Sequence, residues 1–294
     1  LHDALPILMA QEGNTCGPLD WVDELRAVEE KVRQVTRTGT RAESSAANAL
    51  LYDFNRIPHP FTNMHVTEQG LDQLDEYIGR VRSVIGTKVP LAIDHFGHFP
   101  LPDMIKIARR LEKYHLAWLE DMLPWYLIDQ YRELKHATTA PIATGEDMYL
   151  AESFEPLLQA GALDVVHPDL LTSGGILETK KLGDLAARYG ASMALHMCES
   201  PVSALAGAHM ATASENFFAQ EHDAFDSEWW QDLIIGPVKP IVKDGFTVIT
   251  DAPGLGIEGL NEDLIREHGP MKGKDVWVST DEWNQETSLD RIWS

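Results

Sequence analysis

The sequence predicts an α/β protein built as a TIM-type (β/α) barrel. Three observations carry that expectation. Six polar residues, Asp94, Glu120, Glu146, Asp169, His196 and Glu221, recur at separations of 26, 26, 23, 27 and 25 residues. Each closes a short apolar run: VPLAID, LAWLE, PIATGE, DVVHPD, ASMALH and FFAQE. A period of roughly 25 residues is the length of one strand, one helix and two loops. The runs are apolar throughout rather than alternating, as in parallel strands buried on both faces. In a closed α/β barrel the C-terminal strand tips converge on one face, where active sites are built.

The elements follow in order. Residues 19–36 show apolar positions at helical spacing. NALLYDF at 48–54 reads as a buried strand, and the two prolines of 55–66 mark a loop. Residues 67–85 read as a helix with Thr67 as N-cap and the stripe Leu71, Leu74, Ile78, Val81 and Ile85. Strands at 89–94, 117–120, 141–146, 164–169, 192–196 and 217–221 then alternate with helices near 102–114, 127–137, 151–160, 175–189 and 201–213. With NALLYDF that makes seven strands, and an eighth, first in order, falls near 7–13. Beyond 221 the prolines and glycines multiply, and KPIVKDGFTVITDAPGLGIE reads as a hairpin plus loop. The expected division is 1–18 as an irregular N-terminal remnant holding the candidate first strand, 19–250 as the catalytic barrel, and 251–294 as a C-terminal extension.

Composition narrows the function. The chain has 294 residues, 44% of them apolar, and a net charge of −22. Such a surface repels phosphate backbones, so no nucleic-acid partner is expected. An anionic substrate would need a local cation to hold it. No apolar run reaches the ~18 residues of a membrane span, and no signal peptide is read at the start, so a cytoplasmic enzyme is expected. The two cysteines, Cys16 and Cys198, form no framework; Cys198 reads as a small packed residue near the site rather than a nucleophile.

The strand tips carry the chemistry. Asp94, Glu120 and Glu146 end three consecutive strands, and neighbouring strands lie ~4.8 Å apart. Carboxylates that close repel unless a cation neutralises them. All-oxygen ligation selects a hard divalent ion, Mg²⁺ first, with Mn²⁺ as a substitute. The competing reading is three unrelated carboxylates on a solvated rim. Asp169 and His196 end the next two strands, where an Asp can fix the tautomer of a catalytic His; the bland alternative is a core or capping pair. Glu221 reads as a substrate contact or a structural residue. His95 and His98, in DHFGH, lie on the same face as candidate catalytic groups. Gly174 and Gly175 read as a tight turn into a helix.

The stretches PLAIDHFGH, AWLED, PIATGED, VVHPDLLTSGGI, MALHMCESP and FAQEH, with PGLGIE, resemble the enolase superfamily, in its mandelate racemase/muconate lactonizing enzyme-like group of acid-sugar dehydratase type. The resemblance runs from about residue 67 to the C-terminus. It implies a modified (β/α)7β barrel, Asp94, Glu120 and Glu146 as Mg²⁺ ligands, His196 with Asp169 as the acid/base dyad, and Glu221 at the substrate. It implies Mg²⁺-dependent dehydration of a small-molecule sugar acid: a base removes the proton α to a carboxylate, the metal stabilises the enediolate, and the β-hydroxyl leaves to give a 2-keto-3-deoxy acid. A homo-oligomer is expected. The family's lysine pair at the second strand has no counterpart, since Tyr52 and Asp53 stand there, which disfavours two-base racemisation. The family's N-terminal α+β cap is expected to be absent or truncated. The rival readings are an epimerase, racemase or cycloisomerase sharing the enolate step, and a truncated non-catalytic barrel. A metal-dependent hydrolase would want histidines where these tips carry carboxylates.

Overall fold

The structure, a computed structural model, describes residues 65–94, 99–222, 227–236 and 239–268. The expected helix at 19–36, the strands near 7–13 and at 48–54, and His95, His98, Tyr52, Asp53 and Cys16 lie outside the described residues. The described residues fall in two compact units, those up to Val84 in one and those from Ile85 in the other.

In the first unit the described element is α1 (Glu68–Ile85). Its start is the predicted one: the Thr67 hydroxyl accepts the Gly70 N–H at 3.1 Å, relieving one of the orphan donors of a helix N-terminus. Leu71 and Ile78 of the apolar stripe are buried.

The second unit is the alternating (β/α) body. Its strands are β1 (Ile93–Asp94), β2 (Leu119–Glu120), β3 (Ile142–Thr144), β4 (Val165–Val166), β5 (Ser192–Leu195) and β6 (Phe217–Gln220). Between them run α2 (Leu101–Leu111), α3 (Ile128–Ala137), α4 (Leu150–Gln159), the short α5 (Leu170–Ser173), α6 (Gly175–Arg188) and α7 (Pro201–Thr212). The six strands form one parallel sheet in strict chain order. Helices that follow one another also pack on one another, α2 on α3, α3 on α4, α4 on α6 and α6 on α7. This is an arc of a TIM-type barrel, with each strand returned to its neighbour by a helix.

The paired segments are shorter than the apolar runs that announce them, yet register keeps the tips level. Asp94 pairs opposite Glu120, and Asp169 makes an isolated parallel bridge to His196. Side chains alternate faces along a strand. Ala92, Trp118, Ala143, Val165, Ala194 and Ala219 share one apolar cluster. Two residues further along their strands stand Asp94, Glu120, His167, His196 and Glu221, on the same face. Small residues below therefore leave the polar tips converging above.

Beyond β6 the predicted hairpin is present: β8 (Val242–Lys243) pairs with β9 (Phe246–Thr247), after β7 (Ile234–Ile235). Asp244 and Gly245 turn it with φ of 54° and 82°, the left-handed pair such a two-residue turn requires. β10 (Gly259–Leu260) closes onto β7, and α8 (Glu262–His268) follows. Trp230, Ile234 and Ile241 bury this segment against Ala204 and Leu205 of α7.

Candidate active site

Asp94 and Glu120 end β1 and β2 side by side. Asp94 keeps solvent contact while Glu120 is 2% exposed. The residue after Glu120, Asp121, is fully buried, and its Oδ2 has no hydrogen-bond partner. Thr144 donates to its other oxygen. One oxygen from each of Asp94, Glu120 and Asp121 lies within 4.8 Å of the others. Around an octahedral Mg²⁺, adjacent oxygens are about 3 Å apart and opposite ones about 4.2 Å, given bonds of ~2.1 Å. The donor set is all oxygen, partly buried, and includes an unpartnered carboxylate atom, so these residues fit a hard divalent cation.

The carboxylates of the cluster also raise one another's pKa. The Asp94 carboxyl is pushed up to about 7 by desolvation and then by the charges of Glu120, Glu146 and Glu221. Because Asp94 retains solvent contact, the repulsion is the part that stands on geometry. Burial drives Asp121 well above the usual carboxylate range, with Glu120 and Glu146 adding to it.

Glu146 sits two residues past β3, beyond Gly145 at φ 144°. A Cβ on Gly145 would lie 2.4 Å from the Phe154 ring, so only glycine fits the step that delivers Glu146. Glu146 Oε2 stands 3.3 Å from His196 Nε2. The third expected ligand thus lies between the carboxylates and the dyad. Its charge acts on Asp94, while Asp121 is the residue in the compact oxygen cluster.

His196 follows β5, and its Nδ1 is 2.8 Å from Asp169 Oδ2. Asp169 does two jobs. Its Oδ1 accepts the N–H groups of Leu171 at 2.6 Å and Thr172 at 3.3 Å, capping α5. Gly174 and Gly175, at φ 114° and 85°, then turn α5 into α6. Burial alone would lower His196, but the Asp169 hydrogen bond, Cys198 and the charges of Glu146 and Glu221 push it up to about 12. Burial would raise Asp169, but its bond to His196 holds it below the usual range. Beside the dyad, burial and Asp169 push Glu199 up to about 7. Cys198 is exposed, not the packed residue expected: Met197, its neighbour, takes the buried position.

Glu221 follows β6, half-exposed, and its partner is His167. This histidine is fully buried, with Nε2 3.1 Å from Glu120 Oε1 and 3.3 Å from Glu221 Oε2. Burial opposes its charge, but Glu120 and then Glu221 push it up to about 10. In return, against burial, His167 and the Trp118 N–H at 2.6 Å hold Glu120 below its ordinary range. Asp121, His167 and Trp118 were not among the predicted site residues. Parity along the strand is the signal that finds His167, two residues after Val165 and two before Asp169 on an apolar run.

The model of the enolase C-terminal domain-like family matches residues 22–264. The chain belongs to that family. The D-xylonate dehydratase of Haloferax volcanii is 32% identical over 206 residues, 70% of this chain and 49% of that protein. The D-gluconate dehydratase of Thermoproteus tenax is 26% identical over 226 residues, 74% of this chain and 45% of that one. A mandelate racemase/muconate lactonizing enzyme-like protein from Rubrobacter xylanophilus superposes with a TM-score of 0.68 at 33% identity, covering 72% of this chain and 54% of its own. The chain spans about half the length of the curated relatives it matches. Among the described residues no helix is long and apolar enough to cross a membrane.

Proposed function

We propose that this enolase-family chain carries the barrel of a Mg²⁺-dependent acid-sugar dehydratase acting on aldonic acids. One observation carries the reading: a His–Asp dyad at 2.8 Å, with Glu146 3.3 Å from the histidine, stands on the same strand-tip face as a carboxylate cluster fit for a hard cation. Relatives named as D-xylonate and D-gluconate dehydratases support the substrate class.

In this reading Asp94, Glu120 and Glu146 would hold the cation, with Asp121 in the oxygen cluster beside Asp94 and Glu120. When bound, the cation supplies positive charge against the substrate carboxylate as its α-carbon loses a proton. Asp169 holds the His196 ring by Nδ1, leaving Nε2 to work. A neutral Nε2 takes the α-proton; the resulting imidazolium returns one to the β-hydroxyl, which leaves as water. The enol left behind takes up a solvent proton at C3 and releases its C2 hydroxyl proton to solvent to become the 2-keto-3-deoxy acid, so atoms balance with no external oxidant. The His196 ring is pushed up first by its hydrogen bond to Asp169, then by Cys198 and the charges of Glu146 and Glu221. A cation held by Glu146 would offset that carboxylate's part of the hold on the ring.

The test is incubation of the protein with D-xylonate, D-gluconate and D-galactonate in Mg²⁺ buffer, with keto acid followed by NMR. Keto-acid formation from at least one is expected, and none from any would refute the reading. Hydrogen exchange or inversion at C2 without water loss would point to an epimerase instead.

A further inference from the structure

His167 has no part in the proton transfer, yet it is fully buried beside Glu120, the proposed cation ligand. Its Nε2 faces two carboxylates, Glu120 at 3.1 Å and Glu221 at 3.3 Å. Neither contact alone is a well-aligned hydrogen bond, as happens when one N–H is shared by two acceptors. Only Nε2 has carboxylates within reach, so the contacts aim an Nε2–H at them. The other oxygen of Glu120 accepts the Trp118 indole N–H at 2.6 Å, and the two rings lie 5.8 Å apart. Glu120 is therefore gripped through both oxygens by side chains that are not carboxylate ligands.

We infer that His167 is a positioning residue: it ties Glu120 to Glu221 and so sets the orientation of Glu120 toward the cation. The inference rests on the reading of Glu120 as a cation ligand. Strand order explains the need. β2 and β6 are not neighbours, and β4, which leads into His167, lies two strands from each. No ladder hydrogen bond can fix their relative position. Two carboxylates drawn to one point, one of them buried, repel unless a donor stands between them. His167 supplies that donor, and Trp118 fixes the rotation about the Glu120 carboxyl. Outer partners of this kind typically govern metal affinity by 10–100-fold (about that range).

The test is Mg²⁺ titration calorimetry on wild type, His167→Leu, His167→Gln, and the His167→Leu/Glu221→Gln double variant, with the melting temperature of each metal-free chain. His167→Leu is expected to weaken Mg²⁺ binding by about 10–100-fold. His167→Gln, which keeps an amide N–H, should stay much closer to wild type. Removing the Glu221 charge from the Leu variant should recover most of the loss, because the repulsion that His167 relieves is then gone. A packing role would show as lowered melting temperature with no such recovery. Equal affinity in wild type and His167→Leu, or no recovery in the double variant, overturns the inference alone. A wild type that binds no Mg²⁺ overturns the ligand reading and the inference with it. Should His167→Leu not fold, the ¹⁵N-imidazole spectrum decides. The His167 signal is expected to shift on Mg²⁺ addition and again in Glu221→Gln, and a signal indifferent to both overturns the inference.

Discussion

Asp169 Oδ2 lies 2.8 Å from His196 Nδ1 while Asp169 Oδ1 caps the helix that follows. One carboxylate is thus pinned from both sides, and the imidazole inherits its rigidity. Orientation of this kind is what a general base requires, since proton transfer depends on reach before it depends on pKa.

Asp169→Asn separates the two jobs. The amide oxygen can still cap α5, so stability should change by less than about 1 kcal/mol. The amide cannot stabilise an imidazolium, so turnover should fall by about 10²–10⁴-fold. Thermal melting and keto-acid production on the same sample check both halves.

Cation binding should be visible without substrate. At a concentration about 100 times Kd, Mg²⁺ should stabilise the fold by about 2.7 kcal/mol, raising Tm by roughly 5–10 °C. Chelator should reverse the shift, and Glu120→Gln should abolish it. Differential scanning calorimetry measures each.

The sign of the pH dependence follows from Asp94. Its carboxyl is raised from 3.8 to about 7 in the cation-free protein. A carboxyl raised by folding favours the folded state while protonated and counts against it once ionised. Cation-free stability from this group should therefore fall as pH climbs from about 4 to about 7. Mg²⁺ must displace that proton, so Mg²⁺ affinity should drop as pH falls below about 7. Calorimetric titration between pH 5 and 8 tests the direction.

Gly145→Ala should be costly. The added methyl meets the Phe154 ring, at a backbone φ that side chains rarely adopt. Strain and overpacking together should cost about 2–4 kcal/mol, measured by urea unfolding. Glu146 would be displaced with it, so Mg²⁺ affinity should fall as well.

What could be read from the chain follows from what is periodic. Asp94, Glu120, His196 and Glu221 each close an apolar run at a strand end, and they stand where that pattern puts them. The Thr67 cap and the Asp244–Gly245 turn were legible because each rests on local chemistry. Glu146 was legible as a strand-end residue, but its displacement past Gly145 toward His196 was not. That position depends on how tightly Phe154 packs beneath the turn. Within the run DVVHPD, strand parity puts His167 on the face of Asp169, but its role depends on partners that the run does not name. Those partners, Glu120 and Glu221, come from strands 47 positions before it and 54 after it in the chain. Cys198 could not be placed, since the exchange of burial with Met197 depends on how the loop after β5 turns.

The most direct test of the account is the dehydration reaction run in D₂O with Mg²⁺, wild type beside His196→Asn, followed by NMR. Wild type is expected to yield a 2-keto-3-deoxy acid carrying solvent deuterium at C3, and His196→Asn, with the fold intact by circular dichroism, to yield none. Equal product from the two proteins would contradict it.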